Sequence, residues 1–495
     1  MKAVLSIDQS TSATKALLVD PSGAVLARAG RDHRQHYPQP GWVEHDAEEI
    51  WANVLATVRE LQQSGACSGI EISAISIANQ RETVVIFDRV TGAPVHPAMV
   101  WQCRRGDELC AEQLRRGRDS TVRARTGLRI DGYFSASKLQ WLVQERPDIA
   151  RRLQNAEVLI GTMETYLIYR MTRGQVFATD PSNASRTLLF DIHQRAWDED
   201  LCSWWQVPSC ALAEVRDCDA QFGESTLDGL LPYAVPIRGV MGDSQAAMFA
   251  QGCFEPGSAK ATFGSGTSVL VNVGSSPARS TRGAVASLAW VQGGRVTYAL
   301  EGIINFSAAT MNWLRDQLGL FVTLEEAERL AQAAGERNEV YLVPAFAGLG
   351  APYWRDAARA AIVGLSAHSH RGHIVRAALE AIAFQLRDVI EMLQAEAGVA
   401  VSELRCDGGA TRSDPLMQFT ADVLGIELRL PRHPECSAIG AAMMGMLGIG
   451  WYPSPQAMRE LTSEAHAYRR KMSPDEADCR YRGWQRAVQQ VLGVT

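Results

Sequence analysis

Two short turns, one in each half of the chain, carry the residue types best suited to chemistry. The first is Asp8-Gln9-Ser10-Thr11-Ser12-Ala13-Thr14, between apolar runs at 3–7 and 16–19. The second is Gly264-Ser265-Gly266-Thr267-Ser268, between runs at 259–263 and 269–273. Such turns offer backbone N–H and side-chain O–H donors to phosphate oxygens. Asp8 stands at a strand end and suits Mg2+, directly or through water. Lys15 adds a positive charge. A third loop, Asp407-Gly408-Gly409, lets the backbone approach an adenosine closely. Hydroxyl-rich turns also close plain hairpins, so the phosphate reading rests on the three loops together.

The elements around these loops alternate. The N-terminus reads strand, turn, strand, with Asp20-Pro21-Ser22-Gly23 as the next turn and a third strand at 24–27. Asp46-Ala47-Glu48-Glu49 reads as a capping box. Ile50, Trp51, Val54, Leu55, Val58 and Leu61 then share one helical face. A strand at 72–77 ends in Asn79-Gln80-Arg81-Glu82, and another at 83–87 follows. Past the middle, a strand at 235–241 ends in Gly242-Asp243-Ser244. A helix carrying Ile374, Val375, Ala378, Leu379, Ile382, Leu386, Val389, Ile390 and Leu393 should stop at Gly398. A further helix begins near Pro415. Strands that end in small or acidic residues, with helices between, predict an α/β fold with its working loops at strand carboxyl ends.

The chain has 495 residues, 46% hydrophobic and 21% charged, with a net charge of −6. A single core stops growing near roughly 250–300 residues, so at least two domains are expected. The boundary is placed near residue 250, giving halves 1–250 and 251–495 around a shared cleft. The negative balance provides no basic footprint for nucleic acid and no polybasic membrane patch. The opening MKAVLSIDQS lacks the long apolar core of a signal peptide. The longest nearly apolar stretch, 438–452, falls short of the about 20 residues a membrane span needs. Ten cysteines without a C-x-x-C pair predict a reduced, cytoplasmic protein. His33, His36 and His45 form no metal set and read as surface or hydrogen-bonded side chains. Cys202, Cys210 and Cys218 read as packing residues.

No G-x-x-x-x-G-K-[ST] loop is present, since none of the lysines at 2, 15, 138, 260 and 471 precedes Ser or Thr. G-x-G-x-x-G is absent from the N-terminal turn. The paired turns instead resemble the phosphate loops of the ATPase clan that includes actin, heat-shock 70 chaperones and sugar kinases. Within it the chain resembles the FGGY carbohydrate kinases, closest to the glycerol kinases. Tyr133-Phe134-Ser135-Ala136-Ser137-Lys138-Leu139-Gln140-Trp141-Leu142 fits one family signature. Gly364-Leu365 through His373-Ile374 to Ala377-Ala378-Leu379-Glu380 fits the other. The segments 41–46, 79–83, 101–105, 183–187 and 344–354 fit the glycerol kinases in order.

That resemblance implies two ribonuclease-H-like domains flanking a central cleft, ATP and Mg2+, a small polyol substrate and a homo-oligomer (dimer or tetramer). It implies that Asp243 is the general base. It makes Arg81, Glu82, Trp101 and Tyr133 polyol-binding residues. Thr11, Ser12 and Lys15 match the first phosphate loop and Ser265 the second. Gly409 and Ser413 match the nucleotide-side loop, and Asn312 a purine-side position. The first loop departs from the family's D-Q-G-T-T-S-S-R at Ser10, Ala13 and Lys15. At the substrate, Ser244 stands for the usual Gln and Ser268 for the usual Phe. These changes predict a larger, more polar pocket that admits a four- or five-carbon polyol or accepts glycerol weakly, unless neighbouring side chains refill the space. The fructose 1,6-bisphosphate loop of some relatives has no match at 227–232, and no His stands there for phosphorylation control.

Two other classes stay in view. Ser135-Ala136-Ser137-Lys138 spells S-x-x-K, a serine-hydrolase pattern, without its S-D-N or K-T-G companions. A non-enzymatic nucleotide switch shares the paired loops but has no need of Arg81, Glu82, Trp101 and Tyr133.

Overall fold

The computed structural model of the chain describes residues 1–493 except 279, 281, 336–338, 347, 356 and 463. Ala347, within the 344–354 segment, thus lies outside the described residues.

The first half opens with β1 (Lys2–Gln9), β2 (Ala13–Val19) and β3 (Val25–Asp32), an antiparallel meander. Helix α1 (Ala47–Gln63) follows, then β4 (Glu71–Asn79), parallel to β1. Later come α2 (Ser135–Glu145), β5 (Glu224–Ser225), β6 (Val235–Gly242) and α3 (Asp243–Ala250). Among the described residues these strands form a six-stranded sheet in the order β5-β6-β4-β1-β2-β3.

The second half repeats the scheme. β7 (Ala259–Phe263) and β8 (Thr267–Gly274) form a hairpin, followed by β9 (Val285–Gln292) and β10 (Arg295–Ile304). Helices α4 (Ala309–Asp316), α5 (Leu324–Ala333) and α6 (Arg371–Ala397) come next. β11 (Glu403–Asp407), α7 (Asp414–Leu424), β12 (Glu427–Pro431), α8 (Cys436–Gly448) and β13 (Glu464–Tyr468) complete it. Their sheet runs β9-β10-β8-β7-β11-β12-β13. The inner orders β3-β2-β1-β4-β6 and β10-β8-β7-β11-β12 have the same strand directions, with β1–β4 and β7–β11 parallel and the hairpins antiparallel. The echo in the sequence is therefore a repeated α/β unit.

Burial explains the elements. Ile50, Trp51, Val54, Val58 and Leu61 of α1 pack on Leu5, Ile7, Leu18 and Ile75 of the first sheet. The other face, through Val4, Leu17 and Ala74, meets Ala246 of α3 and Met443 and Met444 of α8. With both faces covered, β1 is buried from Ala3 to Gln9, and the one polar residue within 3–7, Ser6, donates its hydroxyl to the Ala438 carbonyl at 2.7 Å. Most of the apolar stretch at 438–452 thus forms the buried helix α8, which ends at Gly448 and lies across the first sheet although it comes from the second half. No helix among the described residues is long and apolar enough to cross a membrane. A Cβ at Gly440 would collide with the Ala246 carbonyl, so glycine there sets how closely α8 and α3 approach.

Helix α6 presents Val375, Ala378, Ile382, Leu386, Val389 and Leu393 to Val269, Val271, Leu300 and Leu404. It ends at Gly398 with φ of 66°. Asp46 caps α1 by accepting from the Glu48 and Glu49 N–H groups. The capping box is not closed, because the Glu49 carboxylate accepts from the Arg34 N–H instead. Cys202 and Cys218 pack inside, but Cys210 is exposed, contrary to the packing role expected of it.

Candidate active site

The sheet registers bring the working residues into line. Asp8 on β1 stands opposite Lys15 on β2 and beside Ala78 on β4. Gly242 on β6 lies beside Asn79 on β4. The Asp8 turn, the Gln80-Arg81-Glu82 loop and Asp243 therefore leave the same edge of the first sheet. In the second sheet, Thr262 of β7 pairs with both Ser268 and Asp407, so the second hydroxyl turn and the Asp407-Gly408-Gly409 loop also share an edge.

The Arg81 guanidinium is buried and has three partners at 3.4 Å or less. Its Nη1 and Nη2 atoms meet the Glu301 carboxylate at 3.3 and 3.0 Å, and Nη1 donates to Gln245 Oε1 at 3.3 Å. Its Nε lies 3.4 Å from Asp243 Oδ1. Glu82 follows with φ of 63°. That left-handed backbone costs a non-glycine residue of order 1–3 kcal/mol. Two bonds hold it: Arg186 Nε donates to Glu82 Oε1 at 2.6 Å, and Ser135 Oγ donates to the Glu82 carbonyl at 2.9 Å. Arg186 Nη1 also pairs with Glu301 at 2.8 Å. Two arginines and two carboxylates thus form a buried quartet at the cleft.

Burial alone would raise the Glu301 carboxyl. The Arg186 and Arg81 charges, with bonds from Arg81 and Ser268, outweigh it and hold the group at about 2. Burial wins for Glu82, whose carboxyl is raised against the pull of Arg186 and Arg81. Tyr133 is also raised, first by burial and then by the Glu82 charge.

Tyr133 lies beside this quartet, within reach of all four charges, and Trp101 packs against it. Trp101 and Tyr133 have centroids 5.3 Å apart. The Trp101 indole N–H donates to Thr11 Oγ1 at 3.0 Å, tying the aromatic wall to the first turn. Lys138 is buried and its Nζ donates to the carbonyls of Gly132, Tyr133 and Phe134 at 2.7, 2.8 and 3.0 Å. It therefore shapes the loop before α2 that carries Tyr133. Ser135 and Lys138 are both committed to backbone carbonyls, which removes the basis of the serine-hydrolase reading.

In the first turn, Ser10 Oγ donates to the Ala13 carbonyl at 3.0 Å and accepts from the Ala13 N–H at 3.2 Å. The hydroxyl at the family's glycine position thus closes the turn. Ser12 is exposed and Thr11 half-buried, so donors there face outward. His33 and His45 are buried and hydrogen-bonded, the second of the two expected settings rather than the surface one. Their rings meet edge to face with centroids 4.8 Å apart, and His33 Nε2 lies 3.0 Å from the Thr11 carbonyl. They brace the turn from behind. His36 is exposed. No cluster among the described residues has the makings of a metal site built from three or more His, Cys, Asp or Glu side chains.

Asp8 is 5% exposed and its Oδ1 atom has no hydrogen-bond partner. Burial pushes its carboxyl up to about 7, and Asp243 and Glu435 add to this against Lys15. Lys15 Nζ pairs with Glu435 at 2.6 Å and lies 4.0 Å from Asp8. A buried, under-compensated carboxylate with an open oxygen fits a hard cation, which would take one carboxylate and keep several waters.

On the second sheet, Ser265 is exposed, and its carbonyl accepts from the N–H groups of Ser307 and Ala309 at 2.7 and 3.2 Å. The second turn is thus fixed to the start of α4, which carries exposed Asn312. Gly408 has φ of 99° and adjoins exposed Gly409. Ser413 caps α7 and donates its hydroxyl to Glu328 at 2.5 Å. That hydroxyl is committed inside the protein.

Ser268 Oγ donates to Glu301 Oε1 at 2.8 Å, and the Ser244 N–H donates to Asp243 Oδ1 at 2.6 Å. Asp243 begins α3 rather than capping it, and its side chain is 33% exposed. Glu301, Arg186 and Gln245 were missed as site residues by sequence reasoning. Glu301 had left a signal: it is the lone charge in the otherwise apolar run 298–304, and a carboxylate buried there requires a partner.

The model of the FGGY family of carbohydrate kinases matches residues 3–250 with its N-terminal domain and 259–449 with its C-terminal domain. The chain is 45% identical to a glycerol kinase of Halorhodospira halophila, covering 99% of this chain and 96% of the relative. It is 42% identical to glycerol kinase 1 of Thermotoga maritima, covering 99% of both. Its structure is similar to that of Plasmodium falciparum glycerol kinase with ADP, with a TM-score of 0.94, 34% identity, and 99% and 98% of the two chains covered. A xylulose kinase from Lactobacillus acidophilus has the same fold, with a TM-score of 0.90 at 18% identity, covering 100% of this chain and 99% of that one.

Proposed function

The chain belongs to the FGGY family of carbohydrate kinases, and we propose that it transfers the γ-phosphoryl group of ATP to glycerol, giving glycerol 3-phosphate. The observation that carries this reading is the convergence of Arg81, Glu82 and Asp243 between the Trp101–Tyr133 wall and the Asp8 turn. In this reading Arg81 donates to, and Glu82 accepts from, two neighbouring hydroxyls of the polyol. Trp101 and Tyr133 cover the carbon skeleton and exclude water. Asp243 accepts the proton of the attacking hydroxyl as that oxygen meets the γ-phosphorus. One carboxylate oxygen faces Arg81 and Ser244, and the partial exposure of the side chain supports access for substrate.

Thr11, Ser12, Lys15 and Ser265 hold the phosphates, while Asn312, Gly409 and Ser413 flank the purine. Asp8, with its unpartnered Oδ1, would hold Mg2+, which would supply positive charge to the phosphates. Drawing the two halves together, divided near residue 250, excludes water and limits wasteful hydrolysis of ATP. The ten unpaired cysteines support a reducing, cytoplasmic setting, and the enzyme works there as a homo-oligomer.

A second reading, a four- or five-carbon polyol, draws on Ser244 and Ser268, which both remove bulk at the substrate. The Ser268–Glu301 bond weakens it, because that hydroxyl is already engaged. An ADP-release assay over glycerol, erythritol, threitol, ribitol and short ketoses tests the choice. The expected kcat/KM favours glycerol by about tenfold or more, the scale of one well-placed hydroxyl or methylene. A higher kcat/KM for a four- or five-carbon substrate would overturn glycerol while leaving the kinase class in place.

A further inference from the structure

The pairing around Glu301 extends the proposed reaction and rests on that reading. Glu301 lies within β10 of the second sheet and is 1% exposed. Its carboxylate takes Arg81 Nη1 and Nη2 at 3.3 and 3.0 Å, Arg186 Nη1 at 2.8 Å and the Ser268 hydroxyl at 2.8 Å. Arg81 also stands 3.4 Å from Asp243 through Nε. One guanidinium is therefore shared between a carboxylate of the second half and the candidate base of the first.

We propose that Glu301 is a positioning residue, which aims Arg81 at the substrate hydroxyls and keeps its guanidinium from closing on Asp243. A guanidinium is a rigid fork that locks onto a carboxylate when it meets it with two N–H groups. Glu301 already engages both Nη atoms, leaving only Nε directed to Asp243. Without the Glu301 charge, the attraction of Arg81 to Asp243 is no longer balanced. The fork then turns toward the base, the polyol loses its arginine, and a paired Asp243 becomes a poorer proton acceptor. Arg186 holds Glu301 in its charged form and links it to Glu82. Glu301 and Ser268 belong to the second sheet, whereas Arg81, Glu82 and Arg186 belong to the first half. The bond crosses the cleft, so the polyol site is complete only when both halves are set together.

The test measures kcat and KM for glycerol and for ATP in Glu301→Gln, Glu301→Asp and Ser268→Ala. Glu301→Gln should raise KM for glycerol about 30-fold or more and lower kcat, the scale of breaking a buried charge pair. KM for ATP should stay within about twofold, because only the polyol contact is lost. Glu301→Asp, which restores the charge, should recover part of both losses. Ser268→Ala removes one bond and leaves every charge, so it should raise KM for glycerol about three- to tenfold. This variant carries the test alone should Glu301→Gln fail to fold. Equal rises in both KM values, or no rise for glycerol, would overturn the positioning role. If the unaltered protein phosphorylates glycerol and the variants match it, only this inference fails. If the unaltered protein is inert on every polyol, the kinase reading fails and takes this inference with it.

Discussion

Asp243→Asn should lower kcat for glycerol phosphorylation by about 10²–10⁴-fold, the contribution typical of a positioned general base. The amide has nearly the shape of the carboxylate and keeps an oxygen for the Ser244 N–H. It cannot take up a proton at neutral pH. The ATP dissociation constant should stay close to that of the unaltered protein, because the phosphate turns lie on other strand ends. Steady-state turnover with glycerol, paired with equilibrium binding of ATP, reads both quantities. Retained turnover would remove Asp243 from the base role, and lost ATP binding would mean that the change had spread beyond the base.

Arg186→Ala is expected to have the largest effect on stability. Arg186 is fully buried and joins Glu82 to Glu301 at 2.6 and 2.8 Å. Its removal leaves two buried carboxylates to share Arg81. Breaking a buried ion pair from one side costs about 3–5 kcal/mol, because the other charge is left uncompensated. Glu82 would also lose the bond that fixes its left-handed backbone. The first unfolding transition in denaturant should shift down accordingly, and any folded protein should bind the polyol poorly. An unchanged transition would show that the quartet contributes little to folding.

Much of this site could be read from residues alone, and the reasons differ by element. Asp8, the two hydroxyl turns, Arg81-Glu82, Asp243 and the Asp407 loop each sit at a strand end, where local pattern marks both the strand and its stop. The α6 face and its Gly398 cap were equally plain, since helical periodicity and a glycine stop are local signals. What local pattern could not carry was pairing over long separations. Arg81 and Glu301 are 220 positions apart, and only the cleft between two sheets makes them neighbours. The burial of His33 and His45 escaped for the same reason, since their shielding comes from the first turn and each other. The stretch at 438–452 was legible as apolar but not as a helix crossing to the other half's sheet. Nothing local to Ser413 shows that Glu328, 85 positions away on α5, takes its hydroxyl.

This cleft is expected to move a phosphoryl group from ATP to a polyol rather than to water. The most direct measurement follows γ-labelled ATP with Mg2+, with and without glycerol. It counts ADP, free phosphate and glycerol 3-phosphate in the same reaction. Slow ADP release is expected without glycerol and fast release with it, each ADP matched by one labelled glycerol 3-phosphate. Release of labelled phosphate at the same rate whether or not glycerol is present would contradict it.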